Sequence, residues 1–222
     1  MEERLGRSVA VQVAAGSGDC QAAEGVAALA HLQARLGAPG LHRVPFTLHV
    51  VDGKLVNAFA LPGGHIVVFR GLLDFTQHPN ELAGVLAHEM GHSDLRHPIE
   101  IIIKRGTGAL AVGLLLGDVT GISSTIVLAQ IMVQAAYTRD AEAAADDEAF
   151  ATLARAGIAA TPFADFFERL EKKEGGATGM FALLETHPAS IDRAARARAA
   201  DQKGGGDALN AAEWQALKKI CG

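Results

Sequence analysis

Two histidines four residues apart, with a glutamate directly after the first, are the residues of this sequence best suited to chemistry. In a helix, His88 and His92 lie on one face and one turn apart, which suits two ligands of a tetrahedral Zn²⁺ ion. Glu89 then lies beside such an ion, where it can accept a proton from a bound water as a general base. Gly91 leaves room for close packing at the same point. The pattern predicts a hydrolytic zinc centre.

The helix around this motif also bears on the prediction. A chain with nine histidines matches the pattern by chance with odds on the order of a few in a hundred. The alternative is a solvated amphipathic helix whose histidines are incidental. One side of the helix is apolar, which favours a packed helix and a metal site. Its apolar residues are Leu82, Val85, Leu86 and Met90.

A catalytic zinc needs a third protein ligand and an open fourth position. The segment 139–146 offers a candidate for this third ligand and a candidate hydrogen-bond partner for a ligating histidine. Glu142 can ligate the ion, and Asp146, one turn further on, can accept the outer N–H of a ligating histidine. Alanines at 141, 143, 144 and 145 let this helix approach another closely, as a shared site requires. The alternative is a solvated acidic face that also includes Asp140, Asp147 and Glu148.

The surrounding patterns predict a mostly helical α+β fold with a small sheet of about three strands. A helix is expected over 19–36, and strands over 46–51, 54–59 and 65–69. Asp52-Gly53 is a good hairpin turn between the first two strands. Further helices are expected from 79, over 122–154, over 161–173, after His187-Pro188 and over 211–220. We expect one domain over 1–222, with its core at about 19–200 and a C-terminal helix at 208–222.

Composition limits the possible partners. The 222 residues are 49% hydrophobic and 20% charged, as in a globular protein, and the net charge is −5 without a basic run. Nucleic acid is therefore not an expected partner. The first residues do not form a signal peptide, so the chain is interpreted as cytoplasmic or as a domain of a longer precursor. Cys20 and Cys221 are either free thiols or a disulfide that joins the two ends, which would imply an oxidising compartment.

Residues 106–138 contain a single charged residue, Asp118. The stretch is shorter than the roughly 40 residues that two spans and a turn require. Buried or interfacial helices are favoured over a spanning hairpin, and membrane association through this stretch stays open.

Several further motifs occur in the order found in a known family. The sequence resembles the gluzincin metallopeptidases and, among them, the HtpX-like heat-shock proteases and CAAX prenyl endopeptidases of metallopeptidase family forty-eight. The resemblance covers about residues 44–198. Besides the zinc motif, it is carried by Asn57-Ala58-Phe59-Ala60-Leu61-Pro62-Gly63-Gly64, Gly71-Leu72-Leu73, Glu81-Leu82-Ala83-Gly84-Val85-Leu86-Ala87, and Thr186-His187-Pro188 with Arg193.

The resemblance implies a gluzincin-type fold and one Zn²⁺ ion. His88, His92 and Glu142 would be its ligands, Glu89 the general base, and Asp146 the partner of a ligand histidine. Residues 64–68 would form an edge strand to which a peptide substrate adds. The substrate strand would involve Asn57, Gly64, His65, Ile66 and Val67.

His187 and Arg193 keep more than one interpretation. The resemblance places His187 near the metal, where it would stabilise the oxyanion or occupy the fourth zinc position in a resting state. The alternative is a buried histidine that caps the following helix. Arg193 would orient backbone or bind a carboxylate, or lie at the surface. His65 could line the cleft from the proposed edge strand, but a structural role is favoured. The remaining histidines fit no ligand spacing and are interpreted as structural: His31, His42, His49, His78 and His97.

The resemblance implies a zinc-dependent endopeptidase that acts on misfolded or envelope proteins in the bacterial cell envelope or periplasm. Clear spanning helices of membrane-embedded relatives are missing from this sequence, so prenylated peptides are not the expected substrates. Membrane association would come from 106–138 or from a segment that precedes Met1. The alternatives are a zinc-regulated chaperone or assembly factor with gated proteolysis, and a non-enzymatic module that binds membranes.

Overall fold

The computed structural model describes residues 1–38, 42–105, 122–173, 182–187, 192–201 and 205–222. The strands are β1 (Thr47–Val51), β2 (Ala58–Ala60) and β3 (His65–Phe69), and a 3₁₀ turn covers Pro62–Gly64. The first helices are α1 (Glu2–Ser17), α2 (Ala23–Leu36), α3 (Arg70–Phe75), α4 (Pro79–Asp94) and α5 (His97–Arg105). The later ones are α6 (Ile122–Val133), α7 (Arg139–Arg155), α8 (Thr161–Lys173), α9 (Ala182–Thr186), α10 (Asp192–Ala200) and α11 (Ala211–Lys218). The predicted mostly helical α+β class is confirmed.

Several element boundaries differ from the predictions. The helix expected over 122–154 is two helices, because a new helix, α7, begins at Arg139 after Thr138, whose hydroxyl caps it by accepting a hydrogen bond from the Ala141 N–H. The helix α1 was not predicted. Part of the stretch discussed for membranes, 106–121, lies outside the described residues. Among the helices that are described, none combines the length and the apolar character that crossing a bilayer requires.

The sheet has the order β1-β3-β2. β1 runs parallel to β3, and β2 runs antiparallel to it. The predicted hairpin at Asp52-Gly53 is therefore wrong, because β1 and β2 lie on opposite sides of β3. After β1 the Gly53 N–H donates to the Val51 carbonyl, and the Gly71 N–H donates to the Gly53 carbonyl. The chain thus leaves the sheet before it returns as β2.

The strand β3 is central, so the predicted edge strand over 64–68 is also wrong. Gly64 belongs to the 3₁₀ turn, and the residues from His65 onward pair with strands on both sides. Both faces of β3 are covered as well. Ile66 and Val68 pack into one apolar core with α2, α4, α8 and α11, whereas Val67 and Phe69 pack into a second core with α1, α5 and α6. A strand that is apolar on both faces is typical of the middle of a sheet.

The helix α4 lies at the centre of the fold, and all of its residues are buried. It begins at Pro79, a favoured first helical residue, and the His78 side chain accepts a hydrogen bond from the Asn80 N–H. A β-carbon at Gly91 would lie 2.8 Å from the Ala145 carbonyl oxygen on α7. The glycine therefore permits the close approach of α4 and α7 that the alanines of 141–145 suggested.

The two cysteines form a disulfide, Cys20–Cys221, which decides between the two alternatives left by the sequence. The Ala22 N–H donates to the Ile220 carbonyl beside it, and Gly25 of α2 packs against the Ile220 side chain. The N-terminal and C-terminal parts of the described chain are thus joined on one side of the sheet.

Candidate metal centre and active site

Four buried side chains from three parts of the chain converge on one point. One nitrogen or oxygen atom from each lies within 4.8 Å of the others. Their residues are His88, His92, Glu142 and His187. The helix α4 supplies the first two, α7 supplies the glutamate, and the segment after α9 supplies the last. The structure thus brings together the three ligands expected from the sequence and adds His187 to them.

The spacing of these atoms suits a tetrahedral ion. The Nε2 atoms of His88 and His92 are 3.0 Å apart, and the Glu142 carboxylate lies 3.5 Å from the first and 3.2 Å from the second. Nδ1 of His187 lies 3.2 Å from His88 Nε2 and 3.0 Å from Glu142 Oε1. Zinc bonds of 2.0–2.1 Å in tetrahedral geometry separate ligand atoms by roughly 3.3 Å. The donor set, three imidazoles and a carboxylate, also fits Zn²⁺.

Glu89 lies beside this group and has different partners. Its Oε2 accepts a hydrogen bond from the Ala60 N–H at 2.8 Å, and its Oε1 is 3.4 Å from His187 Nε2. Burial raises the pKa of the Glu89 carboxyl, although the neighbouring His187 and His88 act to lower it. A buried carboxylate with a raised pKa, at the side of a metal site, is suited to accept and return a proton.

The strand β2 lies next to the site. The resemblance had implied that residues 64–68, most of which belong to β3, would take this position. The Phe69 N–H donates to the Asn57 carbonyl, and the Leu61 N–H donates to the His65 carbonyl, so these alternate positions bond to β3. By the alternation of an antiparallel pair, Ala58 and Ala60 turn their backbone groups away from β3, and the Ala60 N–H reaches Glu89. Asn57, also expected to face substrate, is buried, and its side-chain amide has no hydrogen-bond partner among the described residues.

Asp146 and Arg193 form a buried pair behind the metal-binding atoms. Asp146 Oδ1 is 2.9 Å from His88 Nδ1, as expected for the outer partner of a ligand. Arg193 donates to both oxygens of Asp146, at 2.9 and 2.7 Å, and its Nη1 lies 3.1 Å from Glu142 Oε2. Of the interpretations left open for Arg193, the structure shows carboxylate binding.

The charges around this pair oppose the effect of burial. Burial acts to raise the pKa of the Asp146 carboxyl, but the hydrogen bond to His88 and the charges of His88 and Arg193 lower it overall. The pKa of Glu142 is also lowered despite its burial, chiefly by the charges of His187 and His88. Both carboxyls are therefore ionised at neutral pH, as a ligand and a histidine partner must be.

His187 lies inside the site, as the resemblance implied. Backbone hydrogen bonds of the segment 182–187 hold it there. The His187 N–H donates to the Leu183 carbonyl, and the Leu183 N–H donates to the Val56 carbonyl just before β2. The segment 182–187 therefore spans from the sheet to the metal-binding atoms. Residues 188–191, including Pro188 of the motif, lie outside the described residues.

Sequence reasoning missed two residues that contact His92, one of the predicted ligands. The Tyr137 ring stacks on the His92 ring, with centroids 3.8 Å apart and an angle of 17° between the planes. His97, interpreted as structural, has its Nδ1 2.8 Å from His92 Nδ1. The only available signals were that Tyr137 is the single tyrosine of the chain and that His97 follows the motif by five residues.

The side chain of His65, which was expected on the substrate strand, lies next to β1 and α1. Its Nδ1 lies 3.0 Å from His49 Nε2, and its Nε2 lies 3.8 Å from a carboxylate oxygen of Glu3 on α1. The side chain is therefore enclosed between β1, β3 and α1, in agreement with the structural role that the sequence favoured.

Comparisons with known proteins agree with this arrangement. Residues 21–201 match the family model described as Peptidase family M48. This chain belongs to peptidase family M48. It is 34% identical to metalloprotease LoiP of Escherichia coli over 69% of the chain and 62% of that protein. It is 33% identical to the mitochondrial metalloendopeptidase OMA1 of Arabidopsis thaliana, over 69% of the chain and 31% of that protein.

A third M48 relative is the beta-barrel assembly-enhancing protease of Yersinia pestis, which is 29% identical over 70% of the chain and 34% of that protein. The chain thus spans between about a third and somewhat under two thirds of these curated relatives. The resemblance inferred from the sequence is confirmed at the level of the family.

A mostly apolar cavity adjoins the candidate metal centre of this M48 chain. His88, Glu89, His187 and Arg193 form its polar side. Its apolar side comes from α4, α8 and α9, through Val85, Phe163, Phe167, Leu170 and Leu183. The cavity is small, with room for about one water molecule, and its lining is mostly apolar.

Proposed function

We propose that this chain is a zinc-dependent endopeptidase in which His88, His92 and Glu142 hold one Zn²⁺ ion. The observation that carries the proposal is the convergence of these donors, with Glu89 next to them but bonded elsewhere. A zinc ion there would lower the pKa of a bound water and polarise the peptide carbonyl. Glu89 accepts the proton of the attacking water and returns it to the leaving amine. Asp146 and Arg193 hold His88 and Glu142 in place.

The experiment is to replace Glu89 with glutamine and measure both zinc content and casein hydrolysis. Glu89→Gln keeps the shape of the side chain but removes the base, so we expect zinc binding to persist and the rate to fall by about 10²–10⁴-fold. Glu100→Gln, an exposed glutamate on α5, is the matched control and is expected to leave both unchanged. A Glu89→Gln protein that binds zinc and still degrades casein at the normal rate would contradict the proposal.

We also propose that substrates are extended segments of unfolded or envelope proteins with an apolar residue beside the cleaved bond. The residues next to Glu89 support this preference, because the side of the cavity formed by α4, α8 and α9 is apolar. The sheet order β1-β3-β2 supports β2, and not residues 64–68, as the substrate-binding edge, and the Ala60 N–H of β2 is directed at Glu89. Cleaving an unbiased peptide library and sequencing the new ends tests the preference. Equal use of charged and apolar residues beside the cut would contradict it.

We place the protein in the bacterial cell envelope or periplasm. The disulfide supports an oxidising compartment. The name of the Yersinia pestis relative refers to assembly of beta-barrels, which form in the envelope.

The second candidate function is a chaperone or assembly factor whose proteolysis is gated. The observation in its favour is His187, whose Nδ1 lies among the zinc-binding atoms where water would otherwise bind. Comparing His187→Ala with the wild-type protein separates the roles. A gain in casein hydrolysis supports gating, whereas a loss supports stabilisation of the transition state by His187.

A further inference from the structure

The two metal-binding histidines of α4 have different outer partners. Each presents Nε2 to the metal-binding atoms, so each must carry its proton on Nδ1 and donate it to an acceptor. For His88 the acceptor is the Asp146 carboxylate at 2.9 Å. For His92 the atom in the corresponding place is Nδ1 of His97, at 2.8 Å. A neutral imidazole thus stands where the other ligand has a carboxylate.

The backbone after α4 is shaped to bring His97 to this position. α4 ends at Asp94, and Arg96 has φ of 60°, in the left-handed region, before α5 begins at His97. Residues other than glycine rarely adopt this conformation. The Arg96 N–H donates to the Ser93 carbonyl and closes the turn. The reversal returns the chain toward His92, and the two rings meet with centroids 5.0 Å apart.

We propose that His97 is a positioning residue for the metal centre. Its Nδ1 accepts the Nδ1–H of His92 and thereby fixes the tautomer in which His92 Nε2 faces the ion. Tyr137 holds the plane of the His92 ring by stacking, and His97 holds its rotation within that plane. The inference rests on the metal-binding role of His92 proposed above.

Zinc affinity of the full chain, measured by competition with a chromophoric chelator, tests the proposal. His97→Leu retains bulk but removes the acceptor, and we expect roughly 10–100-fold weaker zinc binding. His97→Asn places an amide oxygen near the position of Nδ1, so its affinity should stay close to that of the wild type. His49→Leu is the matched control, because His49 is also half-buried and paired with a histidine, away from the metal-binding group.

Two results would overturn the proposal. One is a folded His97→Leu protein that binds zinc as tightly as the wild type. The other is a His97→Asn protein that binds as weakly as His97→Leu, which would show that the ring shape matters and the acceptor does not.

A spectroscopic measurement keeps the test decisive if His97→Leu does not fold. Imidazole nitrogen chemical shifts of the zinc-free wild-type protein should show His92 protonated on Nδ1, and protonation on Nε2 would contradict the proposal. Failure of the catalytic proposal is recognised separately, because it appears as an active Glu89→Gln protein while zinc affinity still depends on the residue at 97.

Discussion

Two buried glutamates beside His187 have pKa values shifted in opposite directions. Burial acts to raise both pKa values and prevails at Glu89, whereas at Glu142 the charges of His187 and His88 outweigh burial and lower the pKa. The difference supports the roles proposed for them, since a ligand must remain ionised and a base must take up and release a proton. The pKa of the neighbouring His88 imidazole is also shifted. Burial and Arg193 act to lower it, but Glu142 and Asp146 outweigh them and raise it to about 9.

The outer partner of His88 gives a prediction at the scale of the residue. Asp146→Asn removes the negative charge that holds the His88 Nδ1–H, so we expect zinc affinity to fall by roughly 10–100-fold. Competition with a chelator measures the change. Asp147→Asn is the control, because the Asp147 side chain is 75% exposed and pairs with Arg196. Equal zinc affinities for the Asp146→Asn and wild-type proteins would show that Asp146 has no such role.

At the scale of the element, α1 covers the face of the sheet opposite α4. Leu5 and Val9 of α1 share an apolar core with Val67 and Phe69 of β3. Gly6 permits the contact, since a β-carbon there would lie 2.0 Å from the Pro62 carbonyl oxygen and 2.9 Å from the His65 ring. The helix that was missed in the sequence therefore buries one side of β3 and fixes the turn that precedes it.

Substitution of two glycines in α1 tests this packing. Gly6→Ala forces the helix away from the 3₁₀ turn, and we expect the free energy of unfolding to fall by about 1–3 kcal/mol. Gly16→Ala, in the same helix with no atom near the added carbon, should instead raise it by up to about 1 kcal/mol. Urea unfolding measures both. A Gly6→Ala protein as stable as Gly16→Ala would refute the tight contact.

For the whole molecule, the disulfide joins residues 201 positions apart and links the segment before α2 to the end of the chain. A cross-link over so long a loop restricts the unfolded chain strongly. The candidate metal-binding residues lie elsewhere along the chain, on α4, α7 and the segment after α9. We therefore expect the disulfide to act on global stability and not on the geometry of the site.

Removal of the disulfide should lower the stability of the protein without changing its zinc affinity. For the double variant Cys20→Ser and Cys221→Ser we expect the free energy of unfolding to fall by about 2–5 kcal/mol. Zinc affinity below the unfolding transition should stay unchanged. Urea unfolding with and without a reductant, beside chelator competition, measures both quantities. A large loss of zinc affinity in the folded variant would mean that the disulfide shapes the site.

The parts of the site that the sequence alone determined are those set by helix geometry. His88, Glu89 and His92 share one helix, and Glu142 and Asp146 share another, so the rise and turn of a helix fix their relative directions. The apolar periodicity and the turn residues were enough for the mostly helical class and for the positions of β1 and β3, whereas the strand expected over 54–59 is the shorter β2 at Ala58–Ala60.

Only the tertiary structure decided which distant segments meet. The apolar run of β3 is compatible with an edge or a central strand, and the choice depends on β1, β2 and the helices that cover both faces. The contacts of His97 and Tyr137 with His92, the place of His187 and the pairing of Cys20 with Cys221 likewise depend on the path of the chain between them. Local spacing carries no information on such a path, because long-range contacts are selected by the packing of the whole core.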